Sequence, residues 1–335
     1  MRIIRLISLL SAFALLLSCG KAQLQSTDYE GGGIYSVLKV SSAGTKLTAP
    51  TAEDESKVNN TQFFMFDAED SLEVFMKVDT DTVQMCSTGG WKTIYALTNC
   101  PKEYSGIKTV NELKALAVDL SVNSRNSFVM SGSLRVKLPV DGSLSIPVGR
   151  LVSRVVVHSI SEDFSLEAMR GEDFFIDAIY LSNVVGESLV DSSAVTYSKW
   201  YSKGGFYEDT PANPVRMLTF DALETPHNLK NGAMTTPHAF YAMPNATEDD
   251  ADSMPWTPRH TKLVIKTTYK NKTYYYPIPL PQLQANTSYE IGEIQLSRPG
   301  SLNEETRVDS YDAKFEVVPV DWNEVLLEGD GIYEI

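Results

Sequence analysis

The strongest constraint on this chain is its run of short β-type segments, broken by turn residues and almost empty of helical periodicity. Ile34 to Val40 alternates, Gln62 to Asp67 is continuously apolar, and Leu72 to Val78 and Thr82 to Met85 keep the strand pattern. Trp91 to Leu97 is the strongest strand of this half, and Ser127 to Ser131, Ser133 to Pro139 and Gly142 to Val148 follow. Turn signals recur about every 8–12 residues, the spacing of an all-β sandwich or barrel. One short helix is expected: Thr109 caps Val110 to Leu116, with Glu112 at the capping-box position.

The pattern resumes at Leu151. Val152, Val155, Val156, Val157 and Ile160 make a β-branched strand, and Asp173 to Asn183 alternates over a full strand. Residues 186–260 read as long and irregular, rich in Pro, Ser and Asp. Thr261 to Tyr269, Lys270 to Lys272 and Thr273 to Tyr276 then form a hairpin signature. Ser288 to Leu296 and Tyr311 to Val320 add strands, with a last pairing segment from Val325 to Tyr333. A length of 335 residues suits two domains, each with its own core. The expectation is all-β: two successive sandwiches with one short helix, spanning 34–148 and 149–335, with the boundary near Pro147 to Leu151.

The first residues address the compartment. Arg2 and Arg5 precede an apolar stretch from Ile7 to Leu17, too short to span a bilayer well. It ends in Leu16-Leu17-Ser18-Cys19-Gly20, which looks like a bacterial lipobox. Residues 1–18 then read as a lipoprotein signal peptide, and Cys19 as the lipidated N-terminus. The alternative is an ordinary secretory signal cut near Ala22. Residues 19–33 are polar and end in glycines, which suits a tether. Two or three acyl chains hold a protein firmly where one does not.

Charge narrows the partners. The chain has 29 Lys and Arg against 43 Asp and Glu, and removal of residues 1–18 leaves a formal charge of −16. Nucleic-acid binding needs clustered basic residues and is not expected. Cys86 and Cys100 face an oxidising compartment. A hairpin on Ser87 to Gly90 would place Cys86 opposite Trp91 and Cys100 roughly 30 Å up the ladder. Two unpaired, mostly buried cysteines are therefore expected.

Catalytic signals are sparse. His158, His227, His238 and His260 fit no nucleophile or zinc spacing. A strand-end histidine is the simplest reading of His158, and no metal or cofactor is expected. The acidic run Glu248-Asp249-Asp250-Ala251-Asp252 lacks the glycine and final glutamate of a calcium loop. Alternation splits Tyr274 and Tyr276 from Tyr275, which suits a packed strand better than a carbohydrate platform. The profile is that of a binding or structural protein, not an enzyme.

Several segments, in order, resemble the Bacteroidales fimbrillins, the subunits of type V pili. They are Thr93 to Asn99, Asn126 to Gly132, Ser145 to Val148 and Arg150 to Val155, then Phe174 to Asn183, Asn286 to Ile291, Arg298 to Ser301 and Val320-Asp321-Trp322. The resemblance spans roughly residues 58–325. It implies two tandem transthyretin-like β-sandwich domains, export as a lipoprotein to the outer membrane, and assembly with other fimbrial subunits by strand exchange. In polymerising subunits a trypsin-like protease, usually cutting after Arg, removes the N-terminal strand. A strand of the next subunit then fills the groove by β-augmentation.

This sequence departs from that pattern. After Arg5 no arginine occurs until Arg125, where a cut would remove most of the first domain. Lys39 and Lys46 are the possible processing sites near the first strand. With an Arg-specific protease the subunit keeps its lipid and first strand and becomes an anchor at the base of the fimbria. Cutting at lysine would make it a stalk subunit, and a tip role is a third option. In the tail, Leu326, Ile332 and Ile335 either donate to a neighbour or finish the second sandwich, and Gly329 and Gly331 favour the second. A surface glycan-binding lipoprotein using Trp91, Trp200, Tyr201 and Trp256 is the competing class.

Overall fold

A computed structural model describes residues 33–42, 55–165, 167–191, 195–203, 214–247, 259–306 and 312–322. The signal segment, Cys19, the tether up to residue 32, Lys46, the acidic run, Trp256 and the tail lie outside these residues.

The first half contains β1 (Ile34–Ser42), β2 (Thr61–Phe66), β3 (Leu72–Val78), β4 (Thr82–Ser87), β5 (Gly90–Thr98), α1 (Val110–Lys114), β6 (Ala117–Asp119), β7 (Met130–Leu138) and β8 (Ser143–Arg150). Seven of these strands join in the order β3-β2-β5-β7-β8-β1-β4. The two end strands, β3 and β4, follow one another in sequence and touch, so the sheet folds over on itself. β8 makes the corner. Its residues Ser143 to Val148 pair with β1, and Gly149 and Arg150 pair with β7. At the crossing a Cβ on Gly132 would sit 1.9 Å from the Pro147 carbonyl oxygen, so only glycine fits.

Side-chain alternation explains the layers. Phe63 and Met65 of β2 face a core shared with Leu38, Val40, Val83, Met85, Ile94 and Ile146. Phe64 and Phe66 point the other way, onto Val110 and Leu113 of α1 and into a second core. A strand buried on both faces reads as a continuous apolar run, as Gln62 to Phe66 does. The α1 cap differs slightly from the capping box. Thr109 Oγ1 accepts from Glu112 N at 3.2 Å, while Glu112 accepts from Lys108 N at 2.8 Å rather than from its own cap.

The second half contains β9 (Ser153–Val157), β10 (Ile160–Glu162), β11 (Phe174–Ser182), β12 (Val184–Val185), β13 (Glu187–Leu189), β14 (Trp200–Tyr201), α2 (Arg216–Thr219), β15 (Phe220–Asn228) and β16 (His238–Ala242). It continues with β17 (Lys262–Tyr269), β18 (Lys272–Pro279), β19 (Thr287–Ile291), β20 (Ile294–Leu296), β21 (Ala313–Phe315) and β22 (Val318–Asp321). Two four-stranded sheets, β15-β11-β17-β18 and β16-β9-β19-β22, accompany a three-stranded one, β10-β20-β21. The halves are joined by more than the chain. β6 pairs antiparallel with β13, with Val118 opposite Ser188. Asp119 accepts from the Tyr201 hydroxyl at 2.8 Å and from Lys199. One apolar cluster runs from Phe64, Leu120 and Phe128 into Val155, Phe240, Ile291 and Trp322.

The all-β expectation holds, with differences. Residues 186–260 are not simply irregular, because β13 to β16 lie there. β15 is an edge strand with an exposed, charged sequence that carries no apolar alternation. A second short helix, α2, joins the expected one. The expected break at Gly132 is absent: β7 runs through it, and the glycine marks a close crossing instead of a turn. The Ser87 to Gly90 hairpin does not form. β4 pairs with β1 and β5 with β2 and β7, so the link runs between strands that are not neighbours in the seven-stranded sheet. Cys86 and Cys100 are free, but Cys86 is exposed, with only Cys100 buried.

Candidate functional site

β1 is the first described strand and lies inside its sheet, not at an edge. It runs antiparallel to β4, with Leu38 opposite Val83, and parallel to β8, with Leu38 opposite Leu144 and Val40 opposite Ile146. Period-two alternation buries Ser36, Leu38 and Val40 and turns Tyr35, Lys39 and Ser41 outward. Leu38 is fully buried among Phe63, Met65, Val83, Met85, Ile146 and Val148. Burying Leu38 and Val40 contributes roughly 1.5–3 kcal/mol each. Without β1, the facing edges of β4 and β8 would be unpaired and this core open. The site is a groove filled by the chain's own first strand.

The basic residues near it are differently placed. Lys39 sits mid-strand, opposite Thr82 and Ser145, with its backbone inside the ladders and its side chain more than half exposed. Its ammonium is 4.0 Å from Asp81, a contact of little energetic weight. Arg125 is engaged: Nη2 donates to the Ala239 carbonyl at 2.9 Å, and the guanidinium lies 5.5 Å from the Tyr241 ring centre.

Beside the groove lies a buried ionic cluster that sequence reasoning missed. Glu55, fully buried, accepts from Arg154 Nη1 at 3.0 Å, from Trp322 Nε1 at 3.0 Å and from the Tyr241 hydroxyl. Arg154 also reaches Glu290 at 3.2 Å and donates to Ser288 at 2.9 Å. Arg150 donates to the Glu55 carbonyl at 3.1 Å and lies 4.5 Å from the Trp322 ring centre. Burial outweighs the attraction of Glu55 and draws Arg150 down to about 10. At Glu290 burial acts upward. Hydrogen bonds from His158 and Ser288 and the charge of Arg154 prevail and hold the carboxyl below its usual range. The available signal was two arginines, four residues apart, entering an otherwise apolar β run.

The other candidates scatter. His158 Nε2 is 2.6 Å from Glu290, His227 Nε2 is 2.9 Å from the Gly232 carbonyl, and His238 Nδ1 is 2.7 Å from Asp221. Tyr276 is buried, Tyr274 leans on the main core, and Tyr275 packs on the opposite face with Tyr180 and Val264. Trp91 lies on β5, 5.5 Å from Arg135, whereas Trp200 lies on β14 and stacks on Tyr197. These aromatic side chains therefore belong to different sheets.

Residues 36–146 match the profile of the family described as Major fimbrial subunit protein (FimA). No curated protein matches the sequence. Among solved structures, a candidate cell adhesion protein of Bacteroides eggerthii is similar at 17% identity and a TM-score of 0.62, covering 86% of this chain and 96% of its own. A fimbrilin (FimA) of Porphyromonas gingivalis is similar at 14% identity and a TM-score of 0.56, covering 85% and 95%. The tip fimbrial protein Mfa3 of the same organism, with a C-terminal truncation, is similar at 13% and 0.54, covering 87% and 100%. Residues 36–146 therefore carry the pattern of the fimbrial subunit family, and the all-β fold along most of the chain is the one these solved structures share.

Proposed function

We propose that this protein is a structural subunit of a cell-surface fimbria, held by lipid on Cys19 at the outer membrane as the anchor at its base. The family match over residues 36–146 supports the fimbrial role. The anchoring role rests on one observation: β1 fills its groove as an interior strand, and no arginine lies where a protease could release it. Arg5 precedes the strand, and Arg125, the next arginine, is bound to Ala239. A subunit that keeps β1 offers no open groove and joins its neighbour as the donor of a strand, by backbone ladder bonds and alternate side chains. In this reading residues 34–148 and 149–335 act as the two domains, and the work is mechanical, not enzymatic.

Lys39 and Lys46 remain the possible processing sites. A cut after Lys39 would sever β1 inside its ladders and leave Val40 to Ser42 behind. A cut after Lys46 would free the whole strand. Deletion of the gene separates the roles. Loss of an anchor releases intact fimbriae into the medium, and a Cys19→Ala strain does the same. Loss of a stalk subunit abolishes the fibres. Loss of a tip leaves fibres on the cell, and either of these last outcomes overturns the anchor reading.

A further inference from the structure

We infer that Glu55 is a clamp that fixes residues 55–60 onto the second half, so that they open with that half and not with β1. The inference does not require that β1 is ever released; it concerns which residues open together in local unfolding. The carboxylate of Glu55 is held by Arg154, Tyr241 and Trp322, which come from β9, β16 and the residue after β22. Its carbonyl is held by Arg150. The following residues are pinned in turn. Asn99 Nδ2 donates to the Lys57 carbonyl at 2.7 Å, and Asn99 Oδ1 accepts from Asn59 N at 2.7 Å. Asn59 Nδ2 donates to the Asn126 carbonyl at 3.1 Å, and Asn99 N donates to the Asn60 carbonyl at 3.0 Å. None of these partners belongs to β1.

β1 itself touches this segment lightly. Ser42 Oγ donates to the Ser56 carbonyl at 3.0 Å, and Val58 leans on the core that Leu38 and Val40 fill. A buried carboxylate is costly unless its partners satisfy it, and here three donors do so. Such a cluster contributes less net stability than fixed geometry. Cooperative units in a protein open separately when few strong contacts join them. The clamp places that division between β1 and Glu55. The wall of the groove next to residues 55–60 then keeps its shape whether or not β1 occupies it.

Native-state hydrogen exchange on the full chain, followed residue by residue in rising denaturant, tests this. Amides of Asn59 and Thr61 should exchange with the β9 core, about 100-fold slower than the β4 and β8 amides bonded to β1. In Glu55→Gln, residues 55–60 should lose about 10-fold or more of their protection relative to β9. If Glu55→Gln does not fold, Trp322→Phe removes one donor and keeps a smaller aromatic ring in its place, and should shift the same residues in the same direction. Exchange of residues 55–60 together with β1 in the unaltered chain overturns the clamp. So does unchanged protection in the variants. Exchange of β1 only with the β9 core would overturn it as well, because the two then open as one.

Discussion

Leu38→Ala is the sharpest perturbation of the groove. Leu38 is fully buried on the inner face of β1, with Val83 on one side and Leu144 on the other. The substitution removes three carbon atoms, or roughly 2.4 kcal/mol at ~0.8 kcal/mol per buried methylene. The cavity left among Phe63, Met85 and Ile146 adds to this, since a sandwich closed by ladders on both sides of β1 collapses only partly. The expected loss is about 3–4 kcal/mol. Lys39→Ala, one residue along and pointing out, should cost about 0.5 kcal/mol or less. Urea unfolding followed by tryptophan fluorescence gives the global difference. Hydrogen exchange at the β4 and β8 amides gives the loss for opening β1 alone. Equal costs for Leu38 and Lys39, or less than about 1 kcal/mol for Leu38, would refute the register and with it the filled groove.

Three further outcomes follow from the same geometry. Gly132→Ala should destabilise by about 3 kcal/mol or more, because the new methyl meets backbone at Pro147, whereas Gly106→Ala, with open space around it, should be near neutral by thermal unfolding. Asn99→Ala should cost about 2–4 kcal/mol, since it strands the Asn59 amide and the Lys57 and Phe128 carbonyls and places alanine at φ 57°. Glu290 is held below its usual range, so its contribution is present above the unfolded value of about 4.3 and is lost as pH falls through the folded value. The stability gap between the native chain and Glu290→Gln should therefore be widest near neutrality and shrink in acid, and a constant gap across that range would contradict the cluster.

Much of the fold was legible because period-two alternation survives where one face is buried. Leu38, Val40, Ile94 and Ala96 declare the inner face of the seven-stranded sheet, and Lys262 to Tyr269 the hairpin of the second half. Legibility failed where burial does not alternate. β15 is an exposed edge and β16 a five-residue strand buried throughout, so neither carries a periodic signal. Gly132 looked like a turn because sequence cannot show Pro147 lying against it. Pairing partners across the sheet were equally hidden, and the Ser87 to Gly90 turn signal marked a link between strands that are not neighbours in the sheet. The candidate strand could be located from sequence, but its interior position could not. The ionic cluster was invisible because Glu55, Arg154, Glu290 and Trp322 are scattered along the chain and meet only in the folded state.

The central claim is that the first strand stays in the mature subunit and the lipid holds it at the membrane. Intact mass and N-terminal sequencing of the protein taken from native outer membranes test this directly. The account predicts a diacylated or triacylated Cys19 on an uncut chain. A new N-terminus after Lys39, Lys46 or a nearby residue would contradict it and make this a polymerising subunit of the stalk or tip.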